Sequence, residues 1–154
     1  MRMGIEIERK FLVKNNPDFA NRKCIGIIQA YLSASTDMIV RIRIAGDEGF
    51  LTVKTCSIKG NIGRCEWEYS IPVQDAHEMI RMCKPGKIEK TRYYVPFGRH
   101  TWEVDVFHGL NEGLIVAEIE LDNESDTFEK PEWLGEEVTG RPEYYNSNLI
   151  KQKP

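Results

Sequence analysis

An alternation of charged and apolar side chains, repeated in segment after segment between residues 4 and 121, constrains the fold of this chain more than any other feature. In the first segment, Gly4–Phe11, an extended backbone places Glu6, Glu8 and Lys10 on one face and aliphatic or aromatic side chains on the other. This period of two residues predicts a β-strand. Two carboxylates and an ammonium are unsuited to an apolar core, so the charged face is a candidate binding surface.

Seven later segments show the same period and predict further strands. They are Ile25–Ser33, Met38–Ala45, Phe50–Cys56, Arg64–Ile71, Lys87–Pro96, His100–Phe107 and Leu114–Leu121. One segment, Ala76–Cys83, changes to a helical period and predicts an amphipathic helix that ends before Pro85. Shorter helices are predicted near Pro17–Arg22, Trp133–Glu137 and Pro142–Lys151, and a loop at Lys59–Asn61.

The polar faces of these strands carry charges of both signs. The basic residues are Lys10, Arg41, Arg43, Lys54, Arg64, Lys90 and Arg92, and the acidic residues are Glu6, Glu8, Glu66, Glu68, Glu103, Asp105, Glu118 and Glu120. An antiparallel sheet with one face in water shows the same alternation. Periodicity alone therefore does not distinguish an open sheet from a barrel whose charged face points inward.

Two observations favour the inward arrangement. Like charges recur two residues apart, as in Arg41 and Arg43, and they repel unless counter-charges lie among them. The opposite faces are rich in Ile, Val, Leu and Trp, more than the one clear helix can cover. We therefore predict a mainly β (α+β) fold. Its residues 1–154 would form a single domain, a closed eight-stranded antiparallel β-barrel with a few helices packed outside.

The charges of such a barrel indicate its ligand. About eight strands leave an interior just wide enough for one small molecule. The planar guanidinium of arginine suits phosphate oxygens, whereas carboxylates suit hard cations such as Mg²⁺ or Mn²⁺. A phosphate chain bound together with divalent cations would neutralise both sets of charges.

Composition narrows the alternatives. The 154-residue chain has a net charge of −3, which argues against general nucleic-acid binding. No apolar run is long enough to span a bilayer, and the charged start lacks a signal-peptide core, so we expect a cytoplasmic protein without a membrane partner. The four cysteines have no metal-ligand spacing. Trp67 and Trp102 belong to outer faces, where helices or a second subunit would cover them, so a homodimer remains open.

The ordered set of charges resembles the CYTH superfamily, the triphosphate tunnel metalloenzymes, and in particular its short bacterial tripolyphosphatase-like members. The opening Glu6-x-Glu8-x-Lys10 matches the ExExK signature of the family. The match continues through Arg41-x-Arg43, Lys54, Arg64-x-Glu66-x-Glu68, Lys90-x-Arg92, Glu103-x-Asp105 and Glu118-x-Glu120, and the ending Trp133–Gly140 with Tyr144–Ser147 is also similar. The resemblance implies a closed antiparallel tunnel that binds a triphosphate lengthwise and hydrolyses or transfers one phosphoryl end with Mg²⁺ or Mn²⁺.

The resemblance also implies a role for each charged position. The residues expected to bind phosphate oxygens are Lys10, Arg41, Arg43, Lys54, Arg64, Lys90 and Arg92. The leading metal ligands would be Glu6, Glu8, Glu118 and Glu120, with Glu66, Glu68, Glu103 and Asp105 as second candidates or water-activating groups. Lys10 and Tyr31 share the inner face of the first two strands, where a Lys–Tyr pair would act catalytically at the end of the phosphate chain.

Three functions remain open at this point. The first is metal-dependent hydrolysis of tripolyphosphate, or of thiamine or nucleoside triphosphates. The second is a class IV adenylate cyclase, which shares the tunnel but needs an adenine pocket that no stretch clearly supplies. The third is a polyphosphate- or nucleotide-binding module without chemistry, against which the full set of carboxylates argues.

Overall fold

The computed structural model describes residues 2–15, 17–19, 21–35, 37–55, 63–84 and 86–151. Its strands are β1 (Arg2–Val13), β2 (Cys24–Ala34), β3 (Met38–Ala45), β4 (Glu48–Thr55), β5 (Gly63–Ile71), β6 (Ile88–Phe97), β7 (His100–Phe107), β8 (Ile115–Leu121) and β9 (Leu134–Glu137). The α-helices are α1 (Val73–Met82) and α2 (Asn146–Leu149), with 3-10 turns at Gly109–Asn111 and Pro142–Tyr144. Among the described residues, neither α-helix is long and apolar enough to cross a membrane.

The first eight strands form a closed barrel. Hydrogen-bonded neighbours follow the order β5-β4-β3-β2-β6-β7-β8-β1, and β1 closes the ring by pairing with β5. The N-terminal half of β1, residues 2–7, pairs with β5, whereas residues 7–12 pair with β8. The short β9 joins β1 at Phe11 and Val13. The predicted closed, eight-stranded antiparallel barrel is confirmed, and β9 is an addition to it.

Packing on the outside of the barrel explains why the charged faces point inward. α1 covers β2, β3 and β4, where its Ala76 and Ile80 pack against Ile42 and Ile44. Trp102 of β7 is 0% exposed because the segment around β9 covers it. Phe128 and Trp133 meet its ring edge-on, with ring centroids 5.7 and 5.8 Å from that of Trp102. The expectation that helices or a second subunit cover Trp102 is therefore wrong.

The predicted helix at Trp133–Glu137 is also wrong, because Leu134–Glu137 pairs with β1 as strand β9. Backbones approach closely here, and a Cβ atom on Gly135 would lie 2.9 Å from the carbonyl oxygen of Leu12. Local sequence did not reveal this pairing because the edge that β9 covers lies over a hundred residues earlier in the chain.

The helix predicted near Pro17–Arg22 is likewise absent from the described part of that range. Phe19 stacks on Tyr93 with the ring centroids 4.0 Å apart, and Asn21 has a positive φ of 61°, which ends a turn rather than continuing a helix. The helix predicted within Pro142–Lys151 is confirmed as a 3-10 turn followed by α2. The loop predicted at Lys59–Asn61 lies outside the described residues. So does Cys56, the last residue of the predicted strand Phe50–Cys56.

We expect Leu134→Ala to lower the free energy of unfolding by about 2–5 kcal/mol, because Leu134 is 6% exposed in the cluster around Trp102. Urea unfolding followed by tryptophan fluorescence measures the change. Leu110→Ala is the matched control, since Leu110 is 61% exposed and its loss should change the stability by less than about 0.5 kcal/mol. Equal stabilities of the two variants would contradict the assignment of this segment to the core.

Candidate active site

The interior of the barrel contains two connected cavities. The outer cavity, about 220 Å³, is lined by Glu6, Glu8, Ile25, Ile27, Arg41, Arg43, Ala45, Lys54, Glu66, Glu68, Lys90, Arg92, Tyr94, Glu103, Glu118, Glu120 and Asn146. The inner cavity, about 50 Å³, is lined by Glu8, Lys10, Tyr31, Ile39, Arg41, Lys54, Arg64, Tyr145, Asn146 and Ser147. Shared lining residues place the two cavities end to end along the lumen.

The C-terminal segment covers the inner end of the lumen. Leu149 and Ile150 pack with Tyr31, Ile88 and Phe107 in one apolar cluster. The side-chain nitrogen of Asn111 donates to the carbonyl oxygen of Leu149 at 2.7 Å. Lys10 Nζ donates to the carbonyl oxygen of Tyr144 at 3.1 Å. The opposite end carries Glu120, which is exposed, so we take that end as the entrance.

Acids and bases are concentrated on different walls of the lumen, which meet through ion pairs. The acidic wall consists of the carboxylates on the adjacent strands β7, β8 and β1, namely Glu6, Glu8, Glu103, Glu118 and Glu120. The basic wall consists of the cations on β3, β4 and β6, namely Arg41, Arg43, Lys54, Lys90 and Arg92. Strand β5 carries both signs, and so does β1, which also holds Lys10. The three acidic strands are neighbours in the ring, as are β3 and β4, whereas β6 is separated from β3 by β2 and borders the acidic strand β7.

Asp105 compensates two cations of the basic wall. Its carboxylate accepts hydrogen bonds from Lys90 Nζ at 2.7 Å and from Arg92 Nε and Nη2 at 2.7 and 2.9 Å. Burial alone would raise the pKa of Asp105, but these cations hold that pKa well below its usual range. Burial lowers the pKa of Lys90 to about 8, even against the attraction of Asp105. Asp105 is 1% exposed and lines neither cavity, which favours a supporting role over the predicted metal-binding one.

The rest of the basic wall is held by carboxylates of β5 and β1. Glu68 accepts from Arg43 at 3.1 Å and from the Thr52 hydroxyl at 3.0 Å. Lys54 Nζ lies 2.9 Å from Glu6 and 3.2 Å from Glu66. Burial, followed by repulsion from Arg41, lowers the pKa of Arg43 to about 10.

The two arginines of β3 also have unused donors. The buried Nε atoms of Arg41 and Arg43 have no hydrogen-bond acceptor among the described residues. A buried N–H without an acceptor is costly, so both donors are suited to a ligand with oxygen acceptors.

The acidic wall suits a divalent cation in its donor chemistry. Glu8 lies directly opposite Glu120 in the sheet, and Glu118 lies opposite Glu103. Burial raises the pKa of Glu103, and repulsion from Glu118, Asp105 and Glu8 adds to that rise against the attraction of Arg92. Within the described ranges, no three side chains of His, Cys, Asp or Glu already converge on one point at metal-binding distance. A bound cation would relieve the repulsion, and oxygen donors are the ligands that Mg²⁺ and Mn²⁺ prefer.

The predicted catalytic residues, Lys10 and Tyr31, both line the inner cavity, but each contacts other residues. The Tyr31 hydroxyl is 2.9 Å from Gln29 Nε2, and Lys10 Nζ lies 3.5 Å from Glu118. In the part of the chain that the structure describes, no hydrogen bond joins Lys10 to Tyr31. Burial raises the pKa of Tyr31 to about 12, so its phenol is neutral and can donate a hydrogen bond rather than accept a proton.

Most of the predicted site residues line one of the two cavities, while their roles in binding and catalysis stay predictions. Of the predicted site residues, only Asp105 is withdrawn from the cavities. The sequence pattern did not reveal Asn146 as a lining residue, because Asn146 lies outside any periodic segment and reaches the lumen only through the fold of the C-terminal segment.

A closed barrel with an acidic wall, a basic wall and one covered end defines a tunnel protein for a small anion and its counter-ions. The CYTH domain family matches residues 4–151, and the chain belongs to this family. It is 48% identical over 150 residues to the inorganic triphosphatase of Acetivibrio thermocellus, covering 97% of this chain and 95% of the relative. It is 37% identical over 154 residues to the inorganic triphosphatase of Nitrosomonas europaea, covering 97% of this chain and 99% of that one. The predicted family resemblance is confirmed.

A solved structure described as the inorganic triphosphatase NE1496 is also similar. It superposes with a TM-score of 0.71 at 34% identity, covering 97% of this chain and 96% of that chain. The likeness extends over the barrel and the C-terminal segment alike, because so little of either chain is left unmatched.

We expect Asp105→Asn to lower the free energy of unfolding by about 3–5 kcal/mol in phosphate-free buffer at pH 7, because two buried cations lose their carboxylate. The folded pKa of Asp105 lies below its unfolded value of about 3.9. Its contribution is therefore present above that pH and lost as the pH falls below it. Urea unfolding at pH 7 and pH 3 measures both effects.

The variant should lose less stability than the wild type between these two pH values. Asp37→Asn, at an exposed position, is the control and should follow the wild type. A variant with wild-type stability at pH 7 would show that Asp105 does not compensate the buried pair.

Proposed function

We propose that this protein hydrolyses a triphosphate inside its barrel with the help of a divalent metal, and that inorganic tripolyphosphate is the preferred substrate. The observation that carries the proposal is a lumen lined by charges of both signs and covered at one end by the C-terminal segment. Water cleaves one P–O–P bond, and the products are orthophosphate and diphosphate.

The covered end supports an inorganic substrate. An inner cavity of about 50 Å³ suits a terminal phosphoryl group and excludes a nucleoside or thiamine from that end. Its lining supplies Lys10, Lys54 and Arg64 as cations and Tyr31 as a neutral donor. The names of the two curated relatives, both inorganic triphosphatases, support the same substrate class.

The charge balance of the lumen supports a metal. The seven predicted phosphate-binding cations line the cavities together with seven carboxylates, so the chain alone cannot neutralise an anion with several charges. Glu6, Glu8, Glu118 and Glu120 would hold the cation, with Glu66, Glu68 and Glu103 as further candidates. When bound, Mg²⁺ or Mn²⁺ would neutralise phosphate oxygens and acidify the attacking water.

Side chains of the barrel bind the substrate and stabilise the transition state. Arg41, Arg43 and Arg92 hold the phosphate oxygens and stabilise the charge that spreads over them in the transition state. Lys10 stands at the inner cavity, where it exchanges Glu118 and the Tyr144 carbonyl for a phosphate oxygen. The Tyr31 hydroxyl donates a hydrogen bond to the same end of the phosphate chain. Positioning and charge compensation, rather than covalent catalysis, account for the rate.

Product analysis on a substrate panel tests the proposal. The purified protein is incubated with Mg²⁺ or Mn²⁺ and with tripolyphosphate, thiamine triphosphate, ATP or GTP, and the products are identified. We expect orthophosphate and diphosphate from tripolyphosphate, with the highest kcat/KM of the panel. Cyclic AMP from ATP would instead identify a cyclase, and calorimetric binding of tripolyphosphate without any turnover would identify a binding module.

Lys10→Ala should lower kcat/KM for tripolyphosphate by about a hundredfold or more, since a preorganised charge next to the reacting phosphate is lost. Lys14→Ala removes an exposed lysine shortly after β1 and is the matched control. Retention of wild-type phosphate release by Lys10→Ala, in a variant that melts at the wild-type temperature, would exclude the proposed role of Lys10.

Glu118→Gln and Glu120→Gln should raise the Mn²⁺ concentration for half-maximal activity by about tenfold or more. Calorimetric titration of Mn²⁺ into the substrate-free protein gives a second readout that does not depend on turnover. Glu78→Gln, at an exposed position of α1, is the control. Unchanged titration curves for both lumen variants would remove these residues from the metal site.

A further inference from the structure

Asn146 occupies a particular position in the lumen. It lines both the outer and the inner cavity, so it lies where the two meet. Three charged residues, Glu8, Arg41 and Lys54, share this property, and all of them belong to barrel strands. Asn146 is the first residue of α2 and reaches the junction from the segment that covers the inner end.

The contact with Lys90 fixes the orientation of the Asn146 amide. Lys90 Nζ lies 3.5 Å from Asn146 Oδ1. An ammonium can only donate, so the amide atom that faces it must be the carbonyl oxygen. The amide nitrogen therefore points away from Lys90, and none of the described residues accepts a hydrogen bond from it.

We propose that Asn146 is a substrate-binding residue whose Nδ2 donates a hydrogen bond to a phosphate oxygen at the junction of the two cavities. This inference rests on the proposed function, because it takes the occupant of the lumen to be a phosphate chain. The amide adds a donor next to Lys90 without adding a second positive charge there, which a lysine or arginine at this position would do. The covering segment thus contributes directly to recognition as well as closing the lumen.

Asn146→Leu tests the inference, since it keeps the size of the side chain and removes the donor. A hydrogen bond to a charged acceptor corresponds to roughly a ten- to hundredfold change in affinity. We expect the KM for tripolyphosphate to rise by that factor while kcat changes less than about threefold. Calorimetry with tripolyphosphate and Ca²⁺ should show a matching rise in Kd. Asn146→Asp, which has the same shape but replaces the donor by a carboxylate, should bind more weakly still and serves if the leucine variant does not fold.

Asn148→Leu is the matched control on the same helix. Its side-chain nitrogen donates to the carbonyl oxygen of Pro142 at 2.8 Å, so its loss disturbs the covering segment outside the lumen. KM and Kd of Asn146→Leu within twofold of the wild type would overturn the inference. An equal effect of Asn148→Leu would also overturn it, because the cause would then be the packing of the segment.

Failure of the proposed function gives a different result. A wild-type protein that releases no phosphate from any triphosphate would refute hydrolysis. The calorimetric comparison of wild type with Asn146→Leu would still decide whether Asn146 contacts the anion, since it requires no turnover. Absence of tripolyphosphate binding to the wild type would overturn both.

Discussion

Compensation of buried charge across the lumen is the interaction on which this structure depends. Taking a carboxylate or an ammonium out of water costs several kcal/mol, which only a well-placed counter-charge offsets. Asp105 beneath Lys90 and Arg92, and Lys54 between Glu6 and Glu66, provide such compensation. The lumen is therefore a set of preformed ion pairs. A ligand can enter only if it replaces the partners that it displaces, which a phosphate chain with cations does and an uncharged molecule does not.

The charged interior in turn requires an apolar exterior that is sealed from water. Two elements cover different parts of the outer wall: the helix α1 and the segment around β9. The C-terminal segment with α2 packs instead on inward-facing residues at the covered end of the lumen. The C-terminal segment has a second effect, because Tyr144 and Asn146 also contact lysines of the lumen. The same segment therefore both closes the barrel and shapes its ligand site.

The barrel could be predicted because charged and apolar side chains alternate along each strand, which shows the two faces of that strand. β3 and β7 begin and end at the predicted residues, and every predicted cation of the lumen lines a cavity. The elements that cover the barrel were harder to predict from the sequence. Strand β9 forms only because β1 has a free edge and because Gly135 lets the two backbones approach closely. The partners of Lys10 and Tyr31 were also missed. The Tyr144 carbonyl reaches Lys10 only through tertiary packing, whereas Gln29 lies two residues before Tyr31 on the same face of β2.

The pairing of β1 has a consequence for how the chain reaches its native state. One strand holds β5 on one edge and β8 on the other, and its contact of Ile7 with Leu121 joins positions more than a hundred residues apart. Such contacts require a large loop to close before they contribute any stability, which slows folding. During synthesis, the hairpin formed by β3 and β4 can pair early, whereas the ring cannot be completed until β8 has left the ribosome. Strand β1, which is made long before β8, must therefore wait for the neighbour that closes the ring.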